Sequence, residues 1–272
     1  MKWRVTMFRR PAHRLPLLAL AVVASLLGGL KAGHGQATET IRIRGREQHL
    51  HVYGVRGRPP VIVASGDGGW IHLGPHVAEL LASHGFFVVG LDVRAYLAGF
   101  TTRTSVLQPD DVPNDYGVLI DFAARGTSVR PLLIGVSEGA GLSVLAASGT
   151  HTCDAIEGIV ALGVPDHNEL GWRWRDALIY VTHGAPDEPF FSAAAVVSGL
   201  RTPLAAIHST RDEFVPLDEA RRILDAANEP KRLWIVRALD HRFSGNQSEF
   251  DQRLMEAIAW VRTNATHEAH GA

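Results

Sequence analysis

The chain is nearly without cysteine. Cys153 is the only one in 272 residues, which excludes an internal disulfide and any cysteine-built metal centre. It also lacks an excess of charge. With 27 basic against 28 acidic side chains and a formal net of -1, it has no electrostatic footprint of a nucleic-acid binder. No repeat period shows, and Gly and Pro are too sparse for a collagenous or low-complexity chain. A hydrophobic content of 46% is too high for disorder. The P-loop lysine motif is missing, and a G-x-G-x-x-G starting at Gly66 fails because Ile71 stands where the third Gly belongs. H-E-x-x-H is missing as well. His49 and His51 share a strand face, and Pro75 interrupts the spacing of His72 and His76, so neither pair makes a ligand cluster. No metal, cofactor or nucleic acid is expected.

The one long apolar run is short for a membrane span. Leu15 to Leu30 is 16 residues, against ~20 for a spanning helix, and Pro16, Gly28 and Gly29 weaken it. Five basic residues (Lys2, Arg4, Arg9, Arg10 and Arg14) precede it, no acidic residue appears before Glu39, and small and polar residues follow up to Ala37. That layout is expected for a secretory signal peptide over residues 1–37, with an uncleaved amino-terminal anchor as the alternative, and it points to an exported, periplasmic protein. Without those residues the remainder carries a formal charge of -7.

From residue 38 the pattern is that of one domain. Thr40 to Arg44 and Gln48 to Tyr53 alternate like exposed strands. Continuous apolar runs then follow at Val61 to Ala64, Phe86 to Leu91, Pro131 to Val136, Ile156 to Leu162, Pro203 to Ile207 and Leu233 to Val236. Such runs suit strands buried on both faces of a parallel sheet. Helix-period segments separate most of them, so the expectation is an α/β fold with a mostly parallel central sheet and helices on both faces. Residues 94–113 and 164–200 are too long for ordinary connections and are expected as active-site loops, the second as a cap. That second segment carries Trp172, Trp174, Tyr180, Phe190 and Phe191, which either receive an acyl chain or pack the cap onto the domain.

Gly135-Val136-Ser137-Glu138-Gly139 is a G-x-S-x-G pentapeptide between an apolar strand and a small-residue helix. This is the context of a nucleophile elbow, whose sharp turn tolerates only small neighbours. A serine hydroxyl needs a base during attack, and the base needs an orienting acid. Asp212 lies just past a buried strand and His241 just past the next, giving the order Ser137, Asp212, His241 of α/β-hydrolases. Glu213, Asp218, Asp240 and Asp166 are rivals for the acid, and His208 is expected to be structural. Ser65-Gly66-Asp67-Gly68-Gly69-Trp70 follows the strand where an oxyanion loop belongs. The expected N–H donors are those of Asp67 and Glu138, with Gly68 as the alternative to Asp67. Carboxylates at both donor positions are unusual beside developing negative charge. Either Glu138 serves the helix dipole, or Asp67, Glu138 or Glu213 receives a cationic part of the substrate.

The elbow, the late Asp and His and the alternating strands resemble the α/β-hydrolase superfamily. The string Ser65 to Trp70, followed by a helix and Phe87-Val88-Val89-Gly90-Leu91-Asp92, resembles more narrowly the VirJ/AcvB family of exported bacterial hydrolases. That resemblance implies hydrolysis of a carboxylic ester in an aminoacyl-phosphatidylglycerol, with Ser137, Asp212 and His241 at the catalytic positions and contact with a membrane surface. Val136 and Glu138 depart from the aromatic residues that usually flank the serine in that family. A binding protein on a hydrolase scaffold, serving a secretion or envelope complex, is the alternative from another functional class.

Overall fold

The computed structural model describes residues 36–173 and 189–270. The leader expected over residues 1–37 lies outside the described residues up to position 35. Among the described residues no helix is long and apolar enough to cross a membrane.

The first hairpin joins β1 (Ala37–Ile43) to β2 (Arg46–Tyr53). Then follow β3 (Pro60–Ala64), α1 (Leu73–Ser83), β4 (Phe87–Leu91), α2 (Val93–Phe100) and α3 (Asp111–Ala123). The central part is β5 (Leu132–Val136), α4 (Glu138–Ala147), α5 (Thr150–Ala155) and β6 (Gly158–Leu162). A small hairpin of β7 (His167–Glu169) and β8 (Phe190–Ser192) leads to α6 (Ala193–Val197). The chain ends with β9 (Leu204–Ser209), α7 (Leu217–Ala226), β10 (Lys231–Val236) and α8 (Gln247–His270).

Eight strands form one sheet in the order β1-β2-β4-β3-β5-β6-β9-β10. The six from β4 to β10 run parallel, and β1 and β2 are antiparallel additions at one edge. Every residue of β3, β4, β5, β6 and β9 is buried, which is why these strands read as unbroken apolar runs. Strand β10 differs from the expectation. It lies at the sheet edge, and Ile235 is exposed. The core has two halves: α1 and α8 cover one face of the sheet, while α2, α3, α4 and α7 cover the other.

The two long intervals are more regular than a loop reading suggests. Residues 94–113 contain most of α2, started by the Asp92 side chain accepting the Ala95 N–H at 2.9 Å, and the beginning of α3. Of the expected cap, 164–173 and 189–200 are described; they form the β7–β8 hairpin and α6, while Trp174 and Tyr180 lie outside the described residues.

The glycine-rich string after β3 is held by its last residue. Trp70 stacks on His51 with ring centroids 4.7 Å apart and donates its indole N–H to the Tyr53 hydroxyl at 3.2 Å. The ring fills a slot left by Gly90 in β4, where a Cβ would lie 2.2 Å from the indole. Gly90→Val should therefore expel Trp70 and destabilise the fold by about 1–3 kcal/mol, read from urea unfolding; an unchanged midpoint would show that the slot is not needed.

Candidate active site

In a parallel sheet all strands end on the same side, and side chains just beyond those ends converge. Ser137 follows β5, the string Ser65 to Trp70 follows β3, Asp212 follows β9 and His241 follows β10. Ser137, Asp67, Glu138 and His241 line one cleft of about 480 Å³, together with Ile71, His72, Pro165, His167, Phe214 and Arg242.

Ser137 has φ 51° and ψ -118°, a left-handed conformation that costs energy in a residue with a Cβ. The turn can be this tight because its neighbours have no side chains. A Cβ on Gly135 would lie 2.2 Å from the Gly139 carbonyl oxygen, and one on Gly139 would lie 2.2 Å from the Ser65 carbonyl oxygen. The Ser137 N–H donates to the Leu162 carbonyl at 2.8 Å, tying the elbow to the end of β6.

His241 is buried, and its Nδ1 lies 2.6 Å from Asp212 Oδ2. The other Asp212 oxygen accepts the N–H groups of Phe214 and Val215 at 3.0 and 2.8 Å. Burial works to raise the Asp212 pKa, but the His241 hydrogen bond and charge, with those two N–H donors, outweigh it and hold the carboxyl below its ordinary value. Glu213 accepts the His241 backbone N–H at 2.8 Å. His241 Nε2 is buried with no hydrogen-bond partner. Among the described residues no hydrogen bond joins it to the Ser137 hydroxyl, and contacts of that kind often tighten only when substrate is bound.

Gly163, just past β6, was not singled out by sequence. At φ +57° it lies behind the imidazole, and a Cβ there would come within 2.6 Å of His241 Cε1 and 3.4 Å of Asp212 Oδ2. Its signal was a glycine directly after an apolar strand, Val160-Ala161-Leu162-Gly163. His72 also escaped notice as a cleft residue. Its φ of 54° and ψ of -108° nearly repeat the Ser137 turn at the start of α1.

The rival acids have other partners. Asp166 accepts the Ser192 hydroxyl at 2.6 Å and the Ala194 N–H at 2.9 Å, and pairs with Arg222 at 3.2 Å, clasping β8 and α6 to α7. Asp240 accepts the N–H groups of Arg242 and Ser244 within its own turn. Asp218 pairs with Arg221. His208 is buried, donates to the Val215 carbonyl at 2.9 Å and lies 3.9 Å from Asp212, so it holds the loop that carries the acid. Of the histidines weighed as metal ligands, His76 is paired with Asp251, His49 with Thr40 and His51 with Gln36.

The two expected oxyanion donors differ in surroundings. Glu138 opens α4, where a backbone N–H has no intrahelical acceptor. Its carboxyl group turns away to accept the Glu169 N–H of β7. Burial pushes the Glu138 carboxyl well above its ordinary value, the Glu169 N–H opposes the shift, and the charges of Asp67 and Glu169 add to it. Burial also raises Asp67, opposed by the Gly68 N–H, the His241 charge, its own N–H and Arg94. Gly66 brings this loop against the serine, since a Cβ on it would lie 3.6 Å from Ser137 Cβ.

This arrangement is the α/β-hydrolase fold with the cleft at the carboxyl ends of its strands. Residues 60–161 match the family model of the bacterial virulence protein VirJ, and over that span the chain resembles VirJ. No curated protein matches. Among solved structures, Est1E from Butyrivibrio proteoclasticus is similar at TM-score 0.59 and 15% identity, covering 82% of this chain and 99% of that one. A membrane phospholipase A described as a bacterial virulence factor is similar at TM-score 0.63 and 13% identity, covering 90% and 96%. DcsB in complex with its substrate analogue reaches 0.65 at 14% identity, covering 85% and 100%. At these identities the likeness is one of fold.

A carboxyl whose folded pKa lies above its unfolded value of 4.5 binds more protons in the folded state. Glu138 therefore stabilises most below pH 4.5, and its contribution declines as pH rises from there toward the folded value. Glu138→Gln can still accept the Glu169 N–H, so it should flatten the fall of urea midpoint above pH 4.5; identical slopes in the two proteins would contradict this.

Proposed function

We propose that the protein is a serine hydrolase that cleaves a carboxylic ester through an acyl-enzyme. The observation that carries this reading is the His241 imidazole, bonded through Nδ1 to a buried carboxylate and unpartnered at Nε2, in a cleft it shares with an elbow serine. In the proposed mechanism Nε2 takes the Ser137 hydroxyl proton as Oγ attacks the ester carbonyl carbon. Asp212 fixes the tautomer that leaves Nε2 free to accept and stabilises the imidazolium that results. The N–H groups of Glu138 and of Asp67 or Gly68 meet the oxyanion of the tetrahedral intermediate. The imidazolium then gives its proton to the leaving alcohol, and a water activated by the same imidazole releases the acid from Ser137.

The substrate we propose is an aminoacyl-phosphatidylglycerol, met outside the cytoplasm. Three carboxylates are candidates to receive a cationic group on such a substrate. Glu213 accepts the His241 N–H and is not part of the cleft lining, and Glu138 lines the cleft but is fastened to the Glu169 N–H of β7, which leaves Asp67 as the lining carboxylate best placed for that role. A desolvated carboxylate gains most from an ammonium partner, and resemblance to VirJ favours the same substrate class.

A fluorophosphonate should label Ser137 in folded protein, and Ser137→Ala should lower turnover of simple acyl esters by at least about ten-thousandfold. Failure of both labelling and turnover would favour instead a binding protein on this scaffold. Asp67→Asn, which keeps the backbone N–H, should lower kcat/KM for an aminoacyl ester by about tenfold or more while leaving the N-acetylated ester within about threefold. An equal loss on both esters would remove Asp67 from substrate recognition.

A further inference from the structure

Seven large apolar side chains are exposed among the described residues, and four of them line the cleft, stack on a lining residue or stand on a loop that carries one. Ile71 and Phe214 line it and are 51% and 60% exposed. Phe190, 60% exposed, stacks at 4.1 Å on His167, which also lines it. Leu239, 61% exposed, stands two residues before His241. Scattered apolar residues on a surface need no explanation, but four around one opening make a patch. Val55 shows the contrast: equally exposed, it lies in the turn between β2 and β3, at the amino ends of the parallel strands and away from the cleft.

The loops that present Phe214 and Leu239 also carry exposed arginines. Arg211, Arg237 and Arg242 extend from the ends of β9 and β10; the charge of Arg242 acts on Asp240, whereas no salt bridge engages Arg211 or Arg237 among the described residues. The carboxylates of the same loops are engaged locally. Asp212 and Glu213 bind His241, and Asp240 caps its own turn. A domain whose formal charge from residue 38 onward is -7 thus shows apolar side chains and unpaired guanidinium groups around its cleft. Apolar anchors beside Arg are the composition that settles at the boundary of headgroups and acyl chains, with the cations on lipid phosphates.

We infer that this rim is a docking surface for a bilayer containing anionic phospholipid: the four apolar side chains enter the interfacial layer, and the arginines meet the phosphates. The inference rests on the reading of the cleft as an ester-hydrolysing site and adds how a lipid ester reaches it. Its test needs a probe that reports position, because the apolar run Leu15 to Leu30 can hold the chain on vesicles while the rim stays in water. Cys153 is buried, so an environment-sensitive fluorophore can be attached to Leu239→Cys and, as control, to Val55→Cys in the full chain. On vesicles of phosphatidylcholine with phosphatidylglycerol, the probe at 239 should shift to the blue and be quenched by brominated acyl chains, while the probe at 55 stays as in water. Reversing Arg211 and Arg237 to Glu should weaken the response at 239 by at least about thirtyfold in lipid concentration. An equal response at the two sites, no quenching at 239, or a response at 239 indifferent to both anionic lipid and the arginine reversals would overturn the inference. Turnover of a soluble ester is measured separately, so a rim that fails to seat and a serine that fails to react give different results.

Discussion

The approach of α4 to the ends of β3 and β5 is the constraint on which the cleft depends. Gly139 meets the Ser65 carbonyl and Gly135 meets the first turn of the helix, with no room for a methyl group at either place. Because that contact is closed, Ser137 is forced into its left-handed turn, and the loop after β3 is laid against the serine. A larger residue at either glycine would lift the helix, and the serine, the first helical N–H and the glycine-rich loop would separate together. The strain at Ser137 is borne because the sheet below it is rigid: each flanking strand is buried along its whole length.

The same economy of side chains recurs across the site. Gly163 clears the space for His241 and Asp212, and Gly90 clears the space for Trp70, which anchors the loop carrying Asp67. Each glycine serves a different large or charged partner, so the site is held by pairs of one residue that fills and one that yields. The imidazole is fixed from several directions: Asp212 at Nδ1, Glu213 at its backbone N–H, Phe214 edge-on at 5.5 Å and Gly163 behind. Only Nε2 is left without a partner.

Most of the sheet was legible because parallel strands buried on both faces have no alternation to confuse, and the helices between them kept their period. The positions after β3, β5, β9 and β10 were legible for the same reason: once the strands are counted, their carboxyl ends are known. Strand β10 read as fully buried because Trp234 and Val236 face the core, and apolar content alone does not reveal that an edge exposes Ile235. Helix α2 was missed because only eight residues carry it, with Gly99 near its end, and its cap Asp92 reads equally well as the end of a strand. The local pattern marks Gly163 only as the end of a strand and gives His72 no signal as a cleft residue. What gives each its place is a partner distant in sequence or a backbone angle, and neither is written in the neighbouring residues.

The carboxylates show why a site must be sorted after it is located. Sequence brings Asp67, Glu138, Asp166, Asp212, Glu213 and Asp240 near the strand ends, and all six have the same chemistry in isolation. Their hydrogen bonds divide them. Asp166 and Glu138 fasten the β7–β8 hairpin from opposite sides, one to α6 and α7 and the other to the start of α4. Glu213 and Asp240 shape the loop that presents His241, and Asp212 is spent on the imidazole itself. Of these only Asp67 and Glu138 line the cleft, and Glu138 is fastened to β7, so any discrimination by charge within the cleft falls chiefly on Asp67. Discrimination between a dissolved ester and one held in a bilayer then falls on the rim outside, where apolar side chains and arginines stand exposed.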